Sequence, residues 1–334
     1  MFSTEALLLD ANGAVRYLPN KDIRTVAVYK GELEYDVDFH TNNLGFVDYE
    51  DYEMETDPNK KYYAFVGDSF TAGFHGGEPW VPKLYKGIKD NGIEIYNLGV
   101  SGTGFEHFYR LLESVRAQLR ITHIVILAIS DDLLREFWYP LTNSSDIRFC
   151  RENEGATQCS EHPATAKVIS PESTYEDILT VADDMEFERM KAQITIRRFL
   201  KQSELLVFIV SAVRKFMSEY DYEYIETSLR SLRKIRDNSP LAEIHLVHLP
   251  QKQEVKKGDY LVEHIGKSVR EMGILYFPAL KECEWSKSMF YVKDGHPNSL
   301  GYENIAECVS SYLFADIKKV GRIHSLFPTV EAYR

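Results

Sequence analysis

Ser69 stands in Gly67-Asp68-Ser69-Phe70, directly after the β-type run Tyr62–Val66. A serine delivered at a strand end can attack an acyl carbon, provided that a base takes its proton and donors receive the charge developing on the carbonyl oxygen. A base is available in Lys293-Asp294-Gly295-His296-Pro297-Asn298. Asp294 and His296 are two residues apart, so an extended loop projects both side chains to one side. The carboxylate can then hold Nδ1–H and leave Nε2 to accept a proton. Asn298 or Ser299 can cap the helix expected to follow.

Donors are offered by Asn97-Leu98-Gly99-Val100-Ser101-Gly102-Thr103-Gly104-Phe105, where glycines let the backbone approach a ligand and present its N–H groups. A phosphate-cradling loop is the rival reading, but the spacing is not G-x-G-x-x-G and no P-loop lysine follows. Nor does the serine sit in a G-x-S-x-G elbow, because Thr71 holds the last position. Thr71-Ala72-Gly73 suit a helix start whose N–H groups face the serine. His75, in Phe74-His75-Gly76-Gly77, is placed at the substrate mouth, with an exposed loop histidine as the plain alternative.

Positioning these residues on one edge requires a particular succession of elements. From residue 60 the pattern alternates strand and helix, with strands expected at Tyr62–Val66, Ile93–Leu98, His123–Ile129, Glu243–Leu249 and Ile274–Phe277. Helices fit 79–90, 105–119, 251–271 and 299–314. Five such strands predict an α/β fold, a flavodoxin-like three-layer sandwich around a parallel five-stranded sheet, with ligands outside the carboxyl ends of the strands. Residues 1–58 read as a β-rich extension, with a hairpin at Lys30-Gly31-Glu32 and a turn at Asn42-Asn43-Leu44-Gly45. The main domain is assigned to 59–334. It carries an insertion over 136–240, expected as a polar loop from Asn143 to Pro171 followed by helices.

Bulk properties narrow the function. Of 334 residues, 44% are hydrophobic and 27% charged, as in ordinary soluble globular chains. The net charge of −12 argues against nucleic acid as a partner, since no basic stripe is present to neutralise phosphates. No apolar run is long enough to span a membrane. The first residues lack the basic start of a signal peptide, so the sequence as given reads as cytoplasmic; removal of an N-terminal segment would allow a periplasmic or exported location. Aromatic residues reach 13%, with 21 Tyr, a composition suited to binding sugars or to an aromatic-rich core. Cys150 and Cys159 flank a polar loop that could be closed by a disulfide in an oxidising compartment, whereas Cys283 and Cys308 fall in separate predicted elements. Without C-x-x-C or paired histidines, a zinc site is not expected.

A serine after the first sheet strand, a glycine loop after the second and an Asp-His pair before the last helix together resemble the SGNH/GDSL hydrolase family. The resemblance covers 60–135 and 240–316. It implies Ser69 as nucleophile and one oxyanion donor, Gly102 as the oxyanion glycine, His296 as general base and Asp294 as its orienting acid. The segment Thr41–Glu53, TNNLGFVDYEDYE, also resembles the lead-in before the GDS block of bacterial members that act on cell-surface polysaccharides. The chain departs from the pattern in Ala128-Ile129-Ser130-Asp131-Asp132-Leu133, where Asp131 stands at the family's asparagine. An ionised Asp131 would oppose an oxyanion. A protonated Asp131, the Ser130 hydroxyl as donor, or an Asp131 turned elsewhere would each resolve the conflict.

The expected activity is that of a serine esterase acting on an acyl ester, such as an O-acetyl ester of a carbohydrate or small alcohol, without metal or organic cofactor. A polysaccharide O-acyltransferase using the same three residues and a non-catalytic binding module are the alternatives. The sequence sets no oligomeric state.

Overall fold

The computed structural model describes residues 2–317, apart from 4–6, 10–12, 30, 54–56, 136, 141–146, 154–155, 164–166, 182–224 and 263. The N-terminal strands are β1 (Phe2–Ser3), β2 (Leu7–Leu9), β3 (Val15–Tyr17), β4 (Lys21–Tyr29) and β5 (Glu32–Thr41). Then come β6 (Lys61–Gly67), α1 (Ser69–Ala72), α2 (Trp80–Ile88), β7 (Ile93–Gly99), α3 (Phe105–Val115) and β8 (His123–Ala128). The insertion contributes β9 (Phe137–Pro140), β10 (Ile147–Asn153), β11 (Ala156–Pro163), β12 (Lys167–Val168) and helical residues at 175–181 (α4) and 225–237 (α5). The last elements are β13 (Glu243–His248), α6 (Lys252–Lys257), α7 (Ile265–Glu271), β14 (Leu275–Pro278), α8 (Ala279–Glu282) and α9 (Ser299–Leu313).

The central sheet has the order β14-β13-β8-β6-β7, and every neighbouring pair is parallel. Its inner strands β6 and β8 carry continuous apolar runs, Tyr62–Val66 and Ile124–Ala128, because helices cover both faces. Tyr62, Ala64 and Val66 of β6 join a core with Phe108 and Leu111 of α3, Leu232 of α5 and Val269 of α7. Tyr63 and Phe65 enter the opposite core with Leu84 of α2 and Val309 of α9. In α3, Phe105, Phe108, Leu111, Leu112 and Val115 recur at helical spacing and are all buried. Each such side chain contributes about 1.5–3 kcal/mol on leaving water. The strand order reverses between β6 and β8, which opens a crevice at their carboxyl ends, where Ser69 follows β6.

The β4–β5 hairpin forms at the expected place. Phe39 of β5 stacks on Phe74 at 4.1 Å and so docks the lead-in against the turn after α1. The Asn42–Gly45 turn is held by Asn42 Oδ1, which accepts from the N–H groups of Leu44 and Phe46. Asn97 of β7 is bound to the same segment: its Nδ2 donates to Val47 O at 2.8 Å, and its N–H donates to the Tyr52 hydroxyl at 2.7 Å. The lead-in therefore clasps the strand that carries the glycine loop.

Two expectations are corrected. The stretch from Asn143 to Pro171 is not a simple loop, because β9, β10 and β11 form an antiparallel three-stranded sheet. Asn153-Glu154-Gly155 between two β-type runs is the hairpin signal that marks it. Most of the helix-forming run beginning at Tyr175 lies outside the described residues. Cys283 and Cys308, assigned no pairing because they fall in separate predicted elements, are joined in a disulfide, because α8 and α9 border the same core. A 25-residue separation implies about 3.5 kcal/mol of stabilisation from the constrained unfolded chain. Cys159 is also disulfide-bonded, and Cys150 is its register partner across β10–β11.

Candidate active site

Asp68 builds the turn that presents Ser69. Its carboxylate caps α1 by accepting from Phe70 N–H at 2.8 Å, while its carbonyl accepts from the N–H groups of Thr71 and Ala72. Gly67 is required just before it, because a Cβ there would lie 2.0 Å from Thr71 Oγ1 and 2.3 Å from Leu127 O. Ser69 is 5% exposed.

The loop from 290 to 298 brings the partners. His296 Nε2 lies 2.9 Å from Ser69 Oγ, and Nδ1 contacts Asp294 Oδ1. With Nδ1–H directed at the carboxylate, Nε2 is an acceptor for the serine proton. Asp294 is buried, which alone would raise its pKa. The hydrogen bond and charge of His296, with the Tyr29 hydroxyl, outweigh burial and hold it below the usual carboxylate range.

Sequence reasoning missed the lead-in's part in this arrangement. The Tyr29 hydroxyl donates to Asp294 Oδ2 at 2.7 Å, and Tyr35 reaches the same oxygen at 3.3 Å. Glu34 accepts the backbone N–H groups of Lys293 and Asp294 at 2.6 and 3.0 Å. No sequence signal near Asp294 points to these residues; only the docked hairpin supplies them.

His75 does not line a mouth. It is 1% exposed and stacks flat behind His296, with ring centroids 3.9 Å apart and planes 9° apart. Phe74 and Tyr35 enclose it, and burial, together with the His296 charge, drives its pKa down. Its Nε2 has no hydrogen-bond partner among the described residues. A neutral ring there gives His296 a flat backing.

The glycine loop comes alongside the serine turn through the parallel register Gly67↔Gly99 and the bond from Val100 N–H to Gly67 O. Gly102 has φ +74°, a conformation that favours glycine. The Tyr17 hydroxyl accepts from Ser101 N–H at 3.1 Å and fixes the loop from the lead-in side.

The Ser130 candidacy is corrected by its surroundings. Ser130 is wholly buried, its hydroxyl donates to Glu254, and it meets His248 Nε2 at 3.1 Å. Its proton is thus committed away from Ser69. Asp131 is partly exposed, while its neighbour Asp132 is fully buried and caps the turn by accepting from Ile129 N–H at 3.0 Å. Arg135, unmarked in the sequence reading, lies against this turn: its Nη1 is 2.8 Å from Asp68 Oδ2 and 3.0 Å from Asp132 Oδ1. Among the described residues, no group of His, Cys, Asp and Glu is arranged to hold a metal, and no helix is long and apolar enough to cross a membrane.

Residues 63–309 match the family model described as GDSL-like Lipase/Acylhydrolase. No curated protein matches the sequence. Solved structures that resemble the chain include a lipolytic protein of the G-D-S-L family from Veillonella parvula, 13% identical over 77% of this chain and 100% of that one, with TM-score 0.39. A lipase/acylhydrolase from Enterococcus faecalis is 10% identical over 78% and 98%, with TM-score 0.38. A two-domain esterase active on acetylated mannans is 13% identical over 79% of this chain and 49% of that one, with TM-score 0.38.

Proposed function

The chain belongs to the GDSL-like lipase/acylhydrolase family, and from that premise we propose that it is a serine esterase whose acyl-enzyme forms on Ser69. The observation that carries the reading is the 2.9 Å contact between Ser69 Oγ and His296 Nε2, with the other imidazole nitrogen on Asp294. His296 takes the serine proton as Oγ attacks the ester carbonyl, and Asp294 stabilises the imidazolium that results. The Ser69 and Gly102 N–H groups receive the oxyanion. His296 then protonates the departing alcohol, and water, activated by the same imidazole, releases the acid. Tyr29 and Glu34 act as positioning residues that hold Asp294 and its loop.

The substrate class is an acyl ester, such as an O-acetyl ester, of a carbohydrate or small alcohol. The likeness of the Thr41–Glu53 lead-in to members that act on cell-surface polysaccharides supports the carbohydrate half of this assignment. The Cys283–Cys308 disulfide and the bonded Cys159 support an oxidising compartment.

A fluorophosphonate probe and p-nitrophenyl acetate test the reading together. Labelling on Ser69 and turnover are expected in the wild type, and both should vanish in Ser69→Ala. A wild-type protein that shows neither would reject the esterase. The same acyl-enzyme can be intercepted by a sugar hydroxyl. Mass analysis for acylated oligosaccharide in the reaction therefore separates transfer from hydrolysis.

A further inference from the structure

The position at which the chain departs from its family lacks an evident donor. Ser130 gives its proton to Glu254. A carboxylate such as Asp131 accepts hydrogen bonds when ionised and donates none. Two backbone N–H groups would remain for the developing charge, without the side-chain donor that the family's asparagine adds.

Arg135 occupies the adjoining space. Its Nη1 contacts Asp68 Oδ2 at 2.8 Å, Asp132 Oδ1 at 3.0 Å and Thr103 O at 3.4 Å. Asp68 directly precedes Ser69, and its Oδ2 is 3.3 Å from Ser69 Oγ. Thr103 directly follows Gly102. The guanidinium is therefore bracketed by the neighbours of both backbone donors, two contacts from the nucleophile. All of these contacts use Nη1, one corner of a rigid fork with five N–H donors. The carboxylates that hold it are 1% and 0% exposed, whereas the Arg135 side chain is 23% exposed. Burial disfavours its charge, but Asp132 and Asp68 more than restore it.

We propose that Arg135 supplies the donor and positive charge that the family's asparagine position lacks here, stabilising the oxyanion formed at Ser69. The proposal rests on the esterase reading. As the Ser69 Oγ–carbon bond forms, the serine proton passes to His296 and the carbonyl π pair moves onto oxygen. An Arg135 N–H donates to that oxygen. When the pair returns, the carbon–alkoxy bond breaks and the alcohol leaves with the proton from His296. Asp68 and Asp132 orient the guanidinium, and Arg135 in turn offsets the Asp68 charge beside the nucleophile.

The experiment compares full-length wild type, Arg135→Ala and Arg135→Lys with p-nitrophenyl acetate, with thermal melts run alongside. Arg135→Ala should lower kcat by about 10²–10³-fold with little change in KM, and Arg135→Lys should fall between it and wild type. Guanidinium chloride, below denaturing concentration, should restore part of the lost kcat of Arg135→Ala; sodium chloride at equal strength should not. Unchanged kcat in Arg135→Ala overturns the proposal, as does a rise in KM alone, which would mark ground-state binding. Loss without guanidinium rescue in both variants, accompanied by a lowered Tm, assigns Arg135 to the fold and also overturns it. Wild type inert to both ester and Ser69 probe overturns this proposal and the esterase together, an outcome distinct from failure of the variants alone.

Discussion

Ser69, His296 and Asp294 use the same three chemical types as Ser130, His248 and Glu254, and both sets lie at the carboxyl edge of the parallel sheet. In the first set the imidazole stands between hydroxyl and carboxylate. In the second the hydroxyl stands between imidazole and carboxylate. The other nitrogen of His248 meets the Tyr276 hydroxyl at 2.9 Å. If Tyr276 donates there, Nε2 carries the proton and donates to Ser130 Oγ, whose own proton goes to Glu254. That circuit is closed and leaves its serine without an imidazole to accept the proton. Both histidines lie flat on a ring, His296 on His75 and His248 on Tyr260 at 3.8 Å. What separates them is wiring and access. Ser130, His248 and Glu254 are at most 1% exposed, while the His296 side chain is 23% exposed. Residue types alone therefore do not make a nucleophile; the order of contacts does.

The most direct way to break this comparison is a pair of alanine variants. Ser69→Ala should remove probe labelling and lower ester turnover by about 10⁴-fold or more. Ser130→Ala should keep labelling at Ser69. If Ser130→Ala abolishes labelling in a folded protein, or if the probe is found on Ser130, the two sets have been assigned the wrong way round.

The closed set should instead show itself in stability. Ser130→Ala leaves Glu254 and His248 each short of a buried partner, a change that typically costs about 1–3 kcal/mol. Urea denaturation followed by fluorescence would measure it. Stability equal to wild type would mean that the cluster is loosely coupled to the fold.

The sequence exposed the open set much better than the closed one. Ser69 and Gly102 follow apolar strand runs, and the Asp294/His296 pair precedes a helix with a capping residue, so short-range pattern marks each. The parallel sheet was legible for the same reason, since β6 and β8 carry the unbroken apolar runs Tyr62–Val66 and Ile124–Ala128. Contacts between distant segments left no such mark. Tyr29 reaches Asp294 across 265 positions, and Arg135 carries no mark in the sequence, its place being set by Asp68 and Thr103. His75 sits among glycines that suggest an exposed loop, yet Phe74, Tyr35 and Tyr302 close over it. Ser130 follows the expected strand end, yet its hydroxyl turns to Glu254 and His248, because a strand end does not say which way a hydroxyl turns.

The subtlest distinction between the two sets is their response to acid. Burial lowers the pKa of His248 to about 3, from an ordinary value of 6.5. A histidine that stays neutral when folded but protonates when unfolded makes the unfolded chain bind the extra proton below 6.5. Its contribution is therefore full above 6.5 and is lost as pH falls from 6.5 toward 3. Between pH 8 and pH 5.5 the loss should be about 1 kcal/mol. Glu254 works in the opposite sense. Burial raises its pKa, so its contribution is present at low pH and is lost as pH rises through the raised value. Buried His75 and His245 and half-buried His123 add acid losses of their own. The term belonging to His248 is accordingly read from a difference. In His248→Gln, the drop in stability from pH 8 to pH 5.5 should shrink by about 1 kcal/mol relative to wild type, while labelling of Ser69 persists at both pH values. An identical pH dependence in the two proteins would show that His248 can take up a proton without opening the cluster, and the closed circuit drawn around Ser130 would have to be abandoned.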